Sequence, residues 1–546
     1  MKSGFTTIVL TIFTLTYSSP LLAQSASGGD YMFNGLIAIA ALLIIGIVLL
    51  VGDNLVKIEA NKSGVSNTAD DYSILPSFGT LFKQKKPKFA VEDNFINLTK
   101  GHDILLEGDP EEQLYAQGGS KTFAIYPQNF IGMSPIPKVE VEVGAEVKAG
   151  DHLFYDKKSP SIKHVAPVSG EVIAVNRGAK RSIDSVVILA DKDMKYRALT
   201  PPTLGDCSRE DLVNFLLDSG GWTMLRQRPF DTLPSPEDKP KSIFISTFDS
   251  APLAPDLDYV VEGREDSFQK GLDVLSLLTE GFVHLGLDGR AGELEPSTAF
   301  TNAESVKKTW FSGPHPSGNV GVQIHHVDPI NAGDKVWYLG IQEVITLGDL
   351  FLSGKYNAER LVAVGGAELK EAAYHKTYLG ASVGDLLENN LTNDHVRFIS
   401  GDVLSGKKKS KDQHMNFFDD QITVIEEGDN YEMFGWLVPV APRPSISPTF
   451  ATASLFGDVK YTPNTNTHGE ERAFVVTGQY EKVLPMDIYP QHLMKAILIQ
   501  DFERMEGLGI FELSEEDLAL CEFACTSKQP LQSILRDGLD LMREQL

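Results

Sequence analysis

Two of the three cysteines in this 546-residue chain, Cys521 and Cys525, stand four apart in LALCEFACTSKQP. A thiolate pair at that spacing could ligate a metal, help to hold an iron–sulfur cluster or cycle as a dithiol. Residues four apart on a helix share a face, and free cysteine also packs there as a small apolar side chain, here beside Leu518 and Phe523. Zinc needs four ligands, and this pair supplies two. A second group lies in GPHPSGNVGVQIHHVDP, where His315, His325, His326 and Asp328 are candidate metal ligands. Neighbouring histidines on a strand point to opposite faces, so only one of His325 and His326 could join a given metal. The competing reading is a shaped glycine–proline loop at a contact between domains or between subunits.

The cysteine pair gains meaning when the cluster spacing C-x2-C-x2-C-x3-C-P is laid along the carboxyl-terminal region, because that frame lets four thiolates converge on a cubane. On one stretch the ligand positions hold Phe474, Thr477, Tyr480 and Leu484, with Pro485 in the proline place. On the next they hold Glu515, Leu518, Cys521 and Cys525, followed by Thr526. Six of the eight ligands are therefore replaced, mostly by side chains that would fill a cluster's space. The spacing predicts a ferredoxin-like helical tail without metal, in which Cys521 and Cys525 are inert core.

The elements that would position these residues fall into successive modules of an α+β chain. Residues 89–200 read as β, with short runs such as TFAIYP, HLFYD, EVIAV and SVVILA between Gly, Asp or Pro turns. The stretch VEVGAEVKAGDHLFYDKKSPSIKHVAPVSGEVIAV is similar to a lipoyl-type barrel sandwich. Asp156, Lys157 and Lys158 fall near the place of a carrier lysine, but the spacing to the Ala-Pro turn is long and Pro160 opposes a tight turn. A structural barrel is therefore expected. Residues 201–358 alternate strand and helix. SIFISTF, the amphipathic EDSFQKGLDVLSLLTEG with Phe268, Leu272, Leu275 and Leu278 in helical register, and FVHLGL make a β-α-β unit of a Rossmann-like domain. It has neither G-x-G-x-x-G nor a Walker loop, and Val364–Gly366 is only an isolated VGG, so no nucleotide site is expected. Residues 359–412 resemble a β-grasp module of the soluble-ligand-binding type, and 413–546 hold a β segment and the helical tail.

The net charge of −25 argues against a nucleic-acid partner. Few cysteines fit a reducing compartment. At the amino terminus, 1–23 reads as a signal peptide or first membrane helix. The uncharged run from Met32 to Gly52 is long enough to span a bilayer. Lys57, Lys62 and KQKKPK follow it, whereas Asp30 precedes it. That asymmetry predicts a single-pass protein of the inner membrane with its body on the cytoplasmic side. Residues 53–88 read as a tether.

The order of modules resembles the C component of the Rnf complex and, in part, the flavin-binding component of respiratory complex I. The cluster-free version resembles the A subunits of the sodium-translocating NADH:quinone reductases. DKKSPSIKHVAPVSGEVIAVNRGAKR, GWTMLRQRPF, LTEGFVHL, GPHPSGNVGVQIH, DVLSGK and LSEEDLALCEFAC carry the likeness over residues 95–546. It implies one component of an NADH:quinone oxidoreductase that couples electron transfer to Na+ export, partnered by five other subunits, B to F, by quinone and by the membrane. It also implies no cofactor on this chain, with FAD, FMN, riboflavin, iron–sulfur and NADH used elsewhere in the complex. The quinone-associated stretches would fall near FIGM and RQRPF. Phe130, Met133 and Phe230 could line a quinone ring and Arg228 could donate to its carbonyl oxygen. Plain packing around a surface arginine is the other reading of those residues. Two other classes also combine such modules. An efflux-pump adaptor needs a long helical hairpin between barrel halves, and the link from Tyr155 to Val165 is too short for one. A cell-envelope binding or adaptor protein would need the body outside, against the charge pattern. The departure from the family is the amino-terminal segment, and with it the mode of attachment.

Overall fold

The computed structural model describes residues 94–115, 119–290, 295–431 and 460–545, with isolated residues elsewhere. The chain divides into two compact units, Met1–Lys85 and Lys86–Leu546. In the first, Ile37, Ala40, Ala41, Ile44, Ile45, Val48 and Gly52 are helical. The expected signal, membrane helix and tether lie largely outside the described residues. Among the described residues, no helix is long and apolar enough to cross a membrane.

In the second unit, residues 122–190 form the barrel. A four-stranded antiparallel sheet runs Thr122–Ile125, Ile183–Ala190, Gly170–Arg177, Glu146–Val147. Three further antiparallel strands, Lys138–Val139, His152–Tyr155 and Lys163–Val165, close it. Gly170 opens its strand with φ +152, where an added Cβ would lie 1.9 Å from the Leu189 carbonyl oxygen. The Asp156 carboxylate is tied down by the backbone N–H groups of Ser134 and Lys158, each at 3.1 Å.

The α/β sheet has the order Phe95–Asn97, Lys307–Ser312, Phe282–Asp288, Ser242–Ser246, Val336–Leu339, Arg226–Arg228. Only the Arg226–Arg228 pairing is antiparallel. The expected β-α-β unit is present, with helix Glu265–Ser276 joining strands paired from Ser242 and Phe282 onward. Phe268, Leu272, Leu275 and Leu278 are buried as the register requires. This helix packs on Ile341–Ser353 closely enough that a Cβ on Gly348 would sit 1.7 Å from the Ser267 carbonyl oxygen.

The β-grasp sheet runs Lys407–Lys409, Val396–Ser400, Gln421–Glu426, Glu359–Gly365, Ala373–Tyr378, Glu111–Leu114. Its pairing extends past residue 412 to Glu426 and borrows a strand from ahead of the barrel. Phe95–Asn97 likewise joins the α/β sheet, so the segment before Thr122 stitches the modules together. The tail is helical, with Tyr480–Val483, Pro490–Leu498, Phe502–Gly507, Glu515–Ala524 and Leu531–Gln545. It shares one apolar core with the α/β domain, in which Phe244, Phe311, Val322 and Tyr338 join Leu484, Leu493, Leu518 and Leu539.

Candidate functional site

Most of the cluster frame converges as a packed core. Tyr480, Leu484, Leu518, Cys521 and Cys525 are all at most 2% exposed. The Tyr480 hydroxyl lies 2.8 Å from Cys525 Sγ, and Cys521 Sγ reaches the Tyr480 carbonyl at 3.8 Å. The Gln529 N–H points at Cys525 Sγ at 3.4 Å. Phe474 stands 6.2 Å from the Tyr480 ring. Two frame positions lie apart. Thr477 is exposed, with its N–H on Gln491, and Glu515 turns away toward Arg536 at 3.5 Å. Cys525 is not within the helix but caps it, because Glu515–Ala524 ends one residue earlier. Burial pushes the Cys521 thiol far above its ordinary value, which keeps it protonated. Among the described residues, no three His, Cys, Asp or Glu are placed to hold a metal ion.

The histidine stretch is corrected in two ways. His325 and His326 lie on the helix Val320–Val327, not on a strand, and both bind the tail. His325 Nδ1 lies 2.8 Å from Glu512 and its Nε2 accepts the Asp487 N–H at 3.0 Å. His326 Nε2 donates to the Pro485 carbonyl at 2.7 Å. That second bond fixes the proton on Nε2 of His326, and the Asp487 bond fixes it on Nδ1 of His325. Asp328 is engaged by Lys241 at 2.6 Å. His315 is buried, with Nδ1 3.1 Å from the Ser250 hydroxyl, and burial lowers its pKa. His325 and His326 staple the α/β domain to the tail, whereas the Asp328 and His315 side chains bond within the α/β domain.

The α/β sheet reverses its chain order between Ser242–Ser246 and Val336–Leu339, where open α/β folds generally hold ligands. Here the β-grasp module leans on the loop that follows the first of these strands. Gln421 Nε2 donates to the Pro252 carbonyl at 3.1 Å, and Gly365 comes close enough that its Cβ would stand 3.4 Å from Leu253.

The FIGM and RQRPF stretches meet at a junction of all four modules. Phe130 is buried against His164 at 4.3 Å and Phe417 at 4.9 Å. Met133 is half-buried on the same core. A Cβ on Gly132 would strike Arg543 from the last helix at 2.4 Å and approach Thr232 at 3.4 Å. Phe230 takes φ +81 and packs edge-on against Phe511 at 5.9 Å.

Arg228 is not a surface arginine. Its side chain is 0% exposed, and its two terminal nitrogens are spent on Glu516 and Asp517, each at 2.8 Å. Asp517 is itself 0% exposed, accepts the Ser514 N–H at 2.9 Å and lies over Gly321, where a Cβ would sit 2.4 Å away. Burial opposes the charge on Arg228, and the neighbouring carboxylates more than restore it. With those donors committed, Arg228 is an internal clamp between strand and tail. Sequence reasoning missed Arg226, Phe418 and Asp231 on the open side of this junction, and the buried Tyr338 beside them. The signal was present, since residues two apart on a strand share a face and RQR offers both arginines.

Comparison with known proteins follows the same modules. A family profile described as "NqrA N-terminal barrel-sandwich hybrid domain" matches residues 96–191. "NqrA second alpha/beta domain" matches 207–356, and "NQRA C-terminal domain" matches 361–411. The A subunit of the Na(+)-translocating NADH-quinone reductase of Saccharophagus degradans is 38% identical over 448 residues, covering 81% of this chain and 98% of that one. Its counterpart from Rhodopirellula baltica is 37% identical, covering 82% and 98%. That of Neisseria meningitidis serogroup B is 36% identical, covering 82% and 100%. A likeness to an NAD+-reducing [NiFe]-hydrogenase, with TM-score 0.34 and 12% identity over 63% of this chain and 67% of that one, carries no argument. By identity maintained along essentially the full length of these relatives, the chain belongs to the family of the A subunits of Na(+)-translocating NADH-quinone reductases.

Proposed function

We propose that this chain works at the quinone-reducing end of a sodium-translocating NADH:quinone reductase, as an assembly body and a component of the quinone site. It is a subunit of that enzyme, in which electrons pass from NADH to quinone and Na+ is moved across the membrane. The observation that carries the reading is coverage: 98% to 100% of each curated relative is matched by this chain. The junction of FIGM, RQRPF and the tail supports a role near quinone, because aromatic walls and arginines converge there from separate modules. The tail continues the ferredoxin-like theme with most of its ligand positions turned into core. The amino-terminal segment, by its uncharged run and the lysines after it, anchors the body to the cytoplasmic face of the inner membrane, beside subunits B to F.

Isolation through an affinity tag on this chain tests the assembly claim. The expected result is co-purification of the other subunits with flavin and Na+-dependent NADH:quinone activity. A tagged chain that purifies alone from gently solubilised membranes, while the reductase activity stays in the flow-through, contradicts it.

A further inference from the structure

Arg226 differs from every other arginine at the four-module junction. Arg228 is clamped by Glu516 and Asp517, Arg536 reaches Glu515 and Asp540, and Arg543 reaches Asp540. An unpartnered buried Nε is shared by Arg226, Arg228 and Arg536, but the Arg226 side chain as a whole makes no hydrogen bond and no ion pair among the described residues. Its guanidinium instead lies between two rings, 4.3 Å from the centre of Tyr338 and 4.7 Å from that of Phe418. Cation–π contact holds such a plane in place without consuming its N–H donors, which lie in the plane and point outward. Arg226 and Phe418 are half-buried, so this is the open side of the junction.

The walls are built with some force. Phe418 is braced by Phe417 at 4.8 Å and by Phe130 at 5.9 Å. The Tyr338 hydroxyl is held by Asp231, which the backbone presents in the left-handed region at φ +59. A pre-positioned planar donor between aromatic faces suits a flat, neutral ring that carries an oxygen acceptor. The guanidinium donates in its own plane to the oxygen, and half-buried Phe418, unlike the 1% exposed Tyr338, can also offer apolar contact. A phosphate or carboxylate is a poorer match, because Asp231 and Glu516 stand close enough to act on Arg226 electrostatically.

We propose that Arg226, and not Arg228, is the residue of this chain that donates a hydrogen bond to a quinone carbonyl oxygen, with Tyr338 and Phe418 holding its guanidinium in place. This inference rests on the quinone-end reading above. Arg226 is a binding residue; electrons arrive from elsewhere in the complex.

The test is made in the assembled reductase, with Arg226→Lys and Arg226→Gln compared with the wild type. Losing a charge-assisted hydrogen bond in a half-buried site should raise KM for quinone roughly tenfold or more. The complement of subunits and the thermal midpoint should stay near wild type, and Lys should recover part of the loss. An unchanged KM in both variants overturns the proposal, whether or not the midpoint falls, since a purely structural sandwich would move the midpoint alone. If the Gln variant fails to assemble, the Lys variant alone decides by the same criterion. Photolabelling of the wild-type complex with an azidoquinone separates the two claims. Label on this chain with a normal KM in the variants sinks only Arg226. Absence of label from this chain, with normal KM, sinks the quinone-end reading as well.

Discussion

Cys521 and Cys525 lie beneath Tyr480, which approaches Cys525 with its hydroxyl and Cys521 with its carbonyl. The Cys521 thiol, held protonated by burial, is neither a good nucleophile nor a ready ligand, because both roles need the thiolate. The double substitution to Ala should therefore behave as a small core truncation, costing about 2 to 3 kcal/mol in denaturant unfolding of the body. Quinone reduction by the assembled enzyme should persist, and a stable double variant that cannot transfer electrons would show the pair to be redox groups. Arg228 and Asp517 are a harsher case. Each is 0% exposed; removing Arg228 strands the Asp517 carboxylate, and removing Asp517 leaves Arg228 with Glu516 alone. Arg228→Ala or Asp517→Ala should cost about 3 to 5 kcal/mol, and the double variant much less than the sum. Additive losses in that cycle would mean that the two side chains do not act as a pair.

Arg360 joins helix Ile341–Ser353 to the β-grasp strand Glu359–Gly365 by meeting Glu343 at 2.9 Å, with Asp420 3.6 Å away. One guanidinium faces two carboxylates, and burial, reinforced by Glu343, pushes Asp420 up to about 7. A carboxyl raised in the folded state binds its proton more tightly there than in the unfolded chain. Its contribution is thus fully present below the ordinary Asp range and is lost as pH rises toward 7. Asp420→Asn should stabilise the body at pH 8 and flatten the fall in stability between about pH 4 and 7. Thermal unfolding across that range checks it, and a variant with the wild-type slope would rule the group out as its source.

At this scale the sequence was readable wherever a period was long. The 3.6-residue spacing of Phe268, Leu272 and Leu275 announced a helix, and the β-branched run at SIFIS a buried strand. GVQIHHV misled because Val and Ile favour strands locally. There the chain leaves the parallel strand Lys307–Ser312 and must cross before Val336–Leu339, and the crossover imposes a helix. Phe95–Asn97 and Glu111–Leu114 carry no local signal, since only their distant partners make them strands. The site was half legible for a related reason. The sequence pointed to RQRPF, but which arginine is spent internally depends on Glu516 and Asp517, almost 300 residues away.

For the whole molecule, the central observation is that relatives match the body and that an apolar amino-terminal segment precedes it. An apolar segment without ionisable residues has no group to pass ions or electrons, so its expected use is to keep the body close to its partners. Deleting residues 1–55 should release the chain into the soluble fraction without changing its melting curve. A complex that does form from the shortened chain should retain its sodium-to-electron ratio. Full NADH-to-quinone turnover without Na+ transport would assign this segment to the pump. The measurement that bears most directly on the account is made on membrane vesicles depleted of this one chain. NADH-driven quinone reduction and Na+ uptake are recorded together, before and after the purified chain is restored. The account predicts that both are lost on depletion and return together on restoration. Quinone reduction and Na+ uptake that continue at wild-type rates in the depleted vesicles would contradict it.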